Sequence, residues 1–123
     1  MSYTPKMLEH FNNPRNAGEL PNPTAIGSEG KPGQGNYMII YLRVEGGRVA
    51  EATFKTYGCP GAISCGSAVT ELARGKTMDE AAGITPADID AFLDGLPRGK
   101  AHCATLAVAA LQDAVETARK GSG

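Results

Sequence analysis

The 123-residue sequence contains no tryptophan, and only 6% of its residues are aromatic. An aromatic-lined pocket for a drug-sized ligand is therefore not expected, since such pockets depend on large apolar side chains. Its three cysteines are too few, and odd in number, for the disulfide framework of a small secreted domain. In a reducing compartment these cysteines would be free thiols, metal ligands or redox centres.

The sequence also lacks a block of one charge and a long apolar run. Its 12 Lys and Arg residues nearly balance 13 Asp and Glu residues, so no basic block suggests nucleic acid or an anionic membrane as a partner. No stretch approaches the roughly 20 apolar residues of a membrane span, and the first residues lack the apolar segment of a signal peptide. We therefore expect a cytoplasmic protein, or the mature form of an organellar one, that binds neither nucleic acid nor membrane.

What is present is an ordinary globular composition, with 41% hydrophobic and 20% charged residues. This length fits one domain, which we expect to span residues 1–123. No repeat, low-complexity tract or domain-splitting linker is visible.

The clearest structural pattern is a β-hairpin over residues 37–57. The segments YMIIYLRVE and RVAEATFKTY are rich in β-branched and aromatic residues and flank Gly46-Gly47, which is typical of an antiparallel hairpin. Because side chains alternate along a strand, one face of the first strand should carry Met38, Ile40, Leu42 and Val44.

Helical patterns lie on both sides of this hairpin. A short helix is expected over 5–11, followed by a long loop over 14–36 that is rich in proline and glycine. After the hairpin we predict a helix over 62–74, two short helices opened by Thr77 and Thr85, and a long helix over 101–120. Strands followed by helices indicate an α+β fold, a small antiparallel sheet packed against several helices. Neither a dinucleotide-binding nor a phosphate-binding glycine loop is present.

Two cysteines stand at predicted helix starts, where backbone N–H groups and the helix dipole favour a thiolate. Cys59 lies in a glycine-bearing turn, and Cys103 follows His102, with Lys100 just before them. We expect a lowered pKa for both thiols. Imidazole and thiolate are also soft-metal ligands, so these residues are candidates for a metal site.

The remaining candidates leave alternatives open. Cys65 falls on the apolar face of the helix over 62–74, which is typical of a core residue, yet it lies close enough to the helix start to turn towards Cys59. His10 belongs to the amphipathic first helix and is expected at the surface. A thiol hydrolase that pairs Cys59 with His102 across a cleft is conceivable, but no oxyanion hole or paired carboxylate stands out.

Four segments together resemble the U-type iron–sulfur cluster assembly scaffolds, the family of IscU and the NifU N-terminal domain. They are YTPKMLEHFNNPRN over 3–16, FKTYGC over 54–59, VTELARGK over 69–76 and KAHC over 100–103. The resemblance implies an α+β domain with a long C-terminal helix. It also implies a scaffold rather than an enzyme, one that receives sulfur from a cysteine desulfurase, binds iron, builds a [2Fe–2S] cluster, and passes it to apo-proteins. Such scaffolds also bind zinc in the same pocket.

Residue by residue, the resemblance assigns Cys59 to the second cysteine of the family, and His102 and Cys103 to its histidine and third cysteine. Cys103 is thereby the candidate persulfide acceptor. The first family cysteine and a nearby aspartate are absent, because Gln34 and Asn36 stand in their places.

Both replacements remove an anionic ligand, and amide oxygens suit soft iron–sulfur clusters poorly. The extra cysteine, Cys65, stands where the family often has serine. We therefore predict Cys65 as the compensating ligand, in a set with Cys59, Cys103 and His102. Four such ligands suit either tetrahedral zinc or a cluster.

Alternatives remain open for the partners and for the function of this protein. The loop before the last helix reads LPRGK over 96–100, where family members that use a dedicated Hsp70 chaperone have LPPVK, which argues against recognition by that chaperone. The first hypothesis is a cluster scaffold or carrier. The second is a zinc-binding or persulfide-relay protein that has lost cluster assembly. The third is a sulfurtransferase with Cys103 as nucleophile, which the absence of an evident general base disfavours.

Overall fold

Five helices and three strands make up the computed structural model, which describes residues 3–31 and 33–121. The first part of the chain contains α1 (Pro5–Asn12), β1 (Ala25–Glu29), β2 (Tyr37–Glu45) and β3 (Arg48–Tyr57). The second part is helical, with α2 (Pro60–Ala73), α3 (Met78–Ala82), α4 (Pro86–Phe92) and α5 (Ala101–Gly121). The predicted α+β class is confirmed. Among these described residues, no helix is both long and apolar enough to cross a membrane.

The sheet is antiparallel with the strand order β1-β2-β3, and the predicted hairpin is confirmed at its predicted bounds. Met38, Ile40 and Leu42 are fully buried against the helices, as their alternation predicts. Val44 is only partly buried, and the pairing of β2 with β3 shifts register between Arg43 and Val44. The core therefore lies between one face of the sheet and the helices α2 and α5.

The prediction of an unstructured loop over 14–36 is wrong for Ala25–Glu29, which forms β1. The strand packs directly against α5 at Gly27, where an added Cβ would lie 2.1 Å from the backbone nitrogen of Ala114. The glycine that makes this segment look like a loop is therefore the residue that permits the close approach of strand and helix. This requirement arises from a contact with a distant helix, so local sequence patterns do not report it.

Local signals position the helices well. Thr4 caps α1 by accepting a hydrogen bond from the N–H of Met7 at 3.0 Å. Thr77 and Thr85 each open a short helix with a reciprocal capping box. α2 begins at Pro60 rather than residue 62, because proline is well tolerated in the first turn of a helix. α5 begins at Ala101, as predicted.

The expectation that His10 lies at the surface is wrong. The side chain is only 4% exposed, because α1 packs against α2 and turns this residue inward. Its Nδ1 lies 2.7 Å from the Ser67 hydroxyl, which also accepts a hydrogen bond from the backbone N–H of Arg15 at 2.9 Å. The imidazole meets the ring of Phe92 edge-on at 5.3 Å. His10 thus ties the N-terminal helix to the centre of the fold.

Candidate metal site at two helix starts

Cys59 stands at the N-terminus of α2, between the end of the hairpin and the helix. Two glycines make room around it. A Cβ at Gly58 would lie 2.1 Å from Oδ1 of Asn36, and a Cβ at Gly61 would lie 3.0 Å from Sγ of Cys103. The turn can therefore be packed against both the preceding loop and α5 only because these positions lack side chains.

The start of α5 supplies the other two candidate ligands. Sγ of Cys103 lies 3.5 Å from Sγ of Cys59, and Nε2 of His102 lies 3.6 Å from Sγ of Cys103. The three ligand atoms all lie within 4.8 Å of one another. Cys103 is fully buried, Cys59 is half-buried and His102 is exposed, so the group runs from the core to the surface.

The thiol pKa of Cys59 is lowered, as predicted from its place at a helix start. Burial opposes ionisation, but the backbone N–H groups of Ala62 and Gly61, the Cys103 thiol and the Lys100 ammonium together favour the thiolate. The pKa of the Lys100 ammonium is raised, mainly by the charge of the nearby Cys59 sulfur. The two groups favour each other's charged forms.

The prediction of a lowered pKa for Cys103 is wrong. Burial raises the pKa of this thiol to about 12, and the neighbouring Cys59 sulfur adds to the increase. The Lys100 ammonium acts in the other direction and is outweighed. A position at a helix start favours a thiolate only where the sulfur is not also removed from water. Cys59 therefore ionises before Cys103.

Asn36 closes the site from the loop before β2. Its amide nitrogen points at both sulfurs, 3.8 Å from Cys59 and 3.9 Å from Cys103. Its Oδ1 accepts a hydrogen bond from the backbone N–H of Cys59 at 3.3 Å. Gln34, the other replaced ligand position, has an exposed side chain. Of the two substitutions, only Asn36 touches the cysteines in the described hydrogen-bond network.

Cys65 does not belong to this close group of candidate ligands. The group of close ligand atoms found among the described residues consists of Cys59, His102 and Cys103. Cys65 is fully buried in the hydrophobic core, and burial is the main cause of the strong increase in its thiol pKa. The sulfurs of Cys103 and Cys59 are near enough to add to that increase. A role of Cys65 as a ligand remains a prediction.

Two thiols and an imidazole form a soft donor set, suited to zinc or to iron in iron–sulfur chemistry. Three protein donors also leave a coordination position open for a further ligand. Sequence patterns singled out all three candidate donors but missed the structural role of Gly61, the residue that leaves space beside both sulfurs. The only sequence signal for it is its place in the Gly58-Cys59-Pro60-Gly61 turn.

A comparison with protein families agrees with this geometry. The model of the NifU-like N terminal domain matches residues 2–121. The chain belongs to this family. The resemblance seen in the sequence is thus confirmed, over nearly all of this NifU-like chain.

Individual relatives support the same placement. The chain is 42% identical over 113 residues to the iron–sulfur cluster assembly scaffold protein IscU 1 of Archaeoglobus fulgidus, covering 92% of this chain and 74% of that protein. It is 40% identical over 119 residues to IscU of Escherichia coli K12, covering 94% of this chain and 92% of that protein. A NifU-like N-terminal structure from Brucella abortus has the same fold, with a TM-score of 0.72 at 18% identity over 95% of this chain and 94% of that one.

Proposed function

We propose that this NifU-like chain is an iron–sulfur cluster assembly scaffold, with the iron and sulfide of the nascent cluster as its cargo. The observation that carries the proposal is the convergence of Cys59, His102 and Cys103 within 4.8 Å at the starts of two helices. Relatives at 40–42% identity are named as scaffolds for this assembly. A [2Fe–2S] cluster is the cargo we propose, because the donors are thiolates and imidazole.

The ligand set is proposed as Cys59, Cys103 and His102, with Cys65 as the predicted fourth. The support for the first three is their mutual distance, whereas the support for Cys65 is its proximity to the charges of the other two sulfurs. Coordination by Cys65 would require this buried sulfur to turn out of the core. The burial of Cys103 has a similar consequence, since a sulfur donor can reach this predicted persulfide acceptor only if the site opens.

The partners follow from the cargo. We propose a cysteine desulfurase as the sulfur source and apo iron–sulfur proteins as recipients, with the reaction taking place in the cytoplasm. A scaffold role is favoured over catalysis because the close group among the described residues, Cys59, His102 and Cys103, is a soft-metal ligand set. The altered 96–100 loop remains a reason to expect no transfer through a dedicated Hsp70.

Zinc binding is the second proposal, because two thiols and an imidazole also match the ligand preferences of zinc. The neutral amide of Asn36 faces the sulfurs where the family pattern has a carboxylate, so it offers no anionic ligand to zinc or to a cluster. In this alternative the protein would bind zinc and form no chromophore.

The test is anaerobic reconstitution of zinc-free protein with ferrous iron, cysteine and a cysteine desulfurase. A stable sulfide-to-iron charge-transfer spectrum, with matched iron and sulfide, supports the scaffold. A colourless protein, under conditions in which the E. coli relative turns brown, would refute the scaffold and favour the zinc alternative.

Variants separate the ligand assignments within the same assay. Cys59→Ala and Cys103→Ala should each abolish the spectrum, and a normal cluster in either variant would refute the assignment. If Cys65 is a ligand, Cys65→Ser should reduce the charge-transfer absorption far more than Gln34→Ala does. Equal and negligible effects of these two variants would leave Cys65 as a core residue.

A further inference from the structure

The two closest sulfur atoms of the site are not bonded to each other, and both cysteines are free thiols. Their Sγ atoms lie 3.5 Å apart. A disulfide requires about 2.05 Å, so the sulfurs need to approach by about 1.5 Å. We propose that Cys59 and Cys103 form a reversible disulfide when the metal-free protein meets a low-molecular-weight disulfide, and that this bond closes the site to metal.

The space next to the sulfur pair is kept open by Gly61. A Cβ at this position would lie 3.0 Å from Sγ of Cys103 and 3.6 Å from Sγ of Cys59. It would also crowd the Lys100 side chain at 3.3 Å. Replacement of Gly61 by alanine would therefore place a methyl group against both sulfurs and restrict the rotation that bond formation needs.

Accessibility assigns different roles to the two cysteines. Cys59 is half-buried and can meet a small disulfide from solvent, whereas Cys103 is fully buried and can be reached only by its neighbour. Cys65 is also fully buried and lies outside the close group, so it should stay a free thiol throughout.

The proposed reaction has two exchange steps. The Cys59 thiolate attacks the external disulfide, forming a mixed disulfide and releasing one external thiolate. The Cys103 sulfur then attacks the Cys59 sulfur and releases the second external thiolate, while His102, whose Nε2 lies 3.6 Å away, is placed to take the Cys103 proton. Two protein thiols are oxidised, and one external disulfide is reduced to two thiols.

Oxidation and metal loading would exclude each other. Metal binding uses thiolate sulfur, and the disulfide removes two of the three close donors at once. The site would therefore lose its affinity for metal under oxidising conditions and regain it after reduction. A bound metal would in turn protect both cysteines.

The experiment incubates zinc-free protein with oxidised glutathione, then alkylates free thiols after denaturation and maps the peptides by mass spectrometry. We expect a peptide pair linking Cys59 to Cys103, an alkylated Cys65, and full reversal by dithiothreitol. Protein preloaded with Zn²⁺ should show little of the linked pair. Cys103→Ala should stop at a stable glutathione adduct on Cys59.

Gly61→Ala tests the geometry, since it keeps all three thiols and should slow the appearance of the linked pair. Gly83→Ala is its matched control, because a Cβ there makes only ordinary contacts at 3.5 Å or more, and it should behave as wild type. Thermal melts of both variants test whether unfolding is the cause.

A glutathione adduct on Cys59 that never resolves in the wild type would overturn the proposal. Equal oxidation with and without Zn²⁺ would overturn the exclusion of metal, whereas failure of cluster assembly alone would leave the disulfide result standing.

Discussion

The contact of β1 with α5 at Gly27 leads to a quantitative prediction for Gly27→Ala. The new Cβ would lie 2.1 Å from the backbone nitrogen of Ala114 and 2.6 Å from the carbonyl oxygen of Ala110. Both atoms belong to the backbone of a long helix and cannot rotate away as a side chain would. Strand and helix must therefore separate, by about 1 Å or more, to restore normal contact distances.

The cost of this separation follows from general overpacking energies. Insertion of a methyl group into a well-packed core costs about 1–3 kcal/mol, and we expect the upper part of this range because backbone must move. Replacing glycine also removes freedom from the unfolded chain, which offsets about 0.4–1 kcal/mol. The net loss is about 2 kcal/mol. One kcal/mol lowers Tm by roughly 4–8 °C in a small domain and by roughly 2–4 °C in a larger one, so we expect a decrease of roughly 4–16 °C.

The assay is thermal and urea unfolding of Gly27→Ala, with Gly83→Ala as the matched control. The control adds the same methyl group where nothing is closer than 3.5 Å, so its stability should stay within about 1 kcal/mol of wild type. Because α5 carries His102 and Cys103 while Cys59 directly precedes α2, Gly27→Ala should also weaken zinc binding. Equal stability of Gly27→Ala and the control would refute the close packing of β1 on α5.

Three further predictions concern individual side chains. Burial, followed by the Arg15 charge, lowers the pKa of His10 from its usual 6.5, so the unfolded chain binds this proton more readily. The free energy of unfolding should therefore decrease as the pH is lowered from about 7 to about 5. Urea unfolding of His10→Gln should show a flatter pH dependence in that window, and an unchanged slope would contradict this role of His10. Asn36→Asp places a carboxylate where the amide nitrogen lies 3.8 Å from Sγ of Cys59. The negative charge should raise the pKa of the Cys59 thiol, so the pH profile of its alkylation rate should have its midpoint at a higher pH. An unchanged midpoint would contradict the contact. Cys65→Ala removes a fully buried sulfur, so it should lower the free energy of unfolding by about 1–2 kcal/mol. An unchanged midpoint of urea unfolding would show that the core closes around the lost atom.

Several features of this protein could be predicted from local sequence because their causes are local. Gly46-Gly47 and the alternation in β2 predicted the hairpin, since turn geometry and side-chain alternation act over a few residues. Thr77 and Thr85 predicted two helix starts, because a capping side chain bonds to backbone only three residues away. The candidate donors Cys59, His102 and Cys103 were also visible, as each stands beside a predicted helix start.

Tertiary structure decided what depends on contacts between distant segments. The strand β1 can pack against α5 because Gly27 has no side chain, and His10 is buried because α1 packs against α2. Burial also reversed the expected direction of the Cys103 pKa shift, since the cost of removing a thiolate from water exceeded the opposing effect of the Lys100 ammonium.

The candidate site shows the same division. Sequence determined which residues can bind a soft metal, because ligand chemistry belongs to the side chain itself. Only the packing of α2 beside α5 brought Cys59 within 3.5 Å of Cys103, 44 residues later in the chain, and left Cys65 in the core. Distances between segments far apart in sequence depend on how the whole chain excludes water from its apolar surface, and no local pattern contains that information.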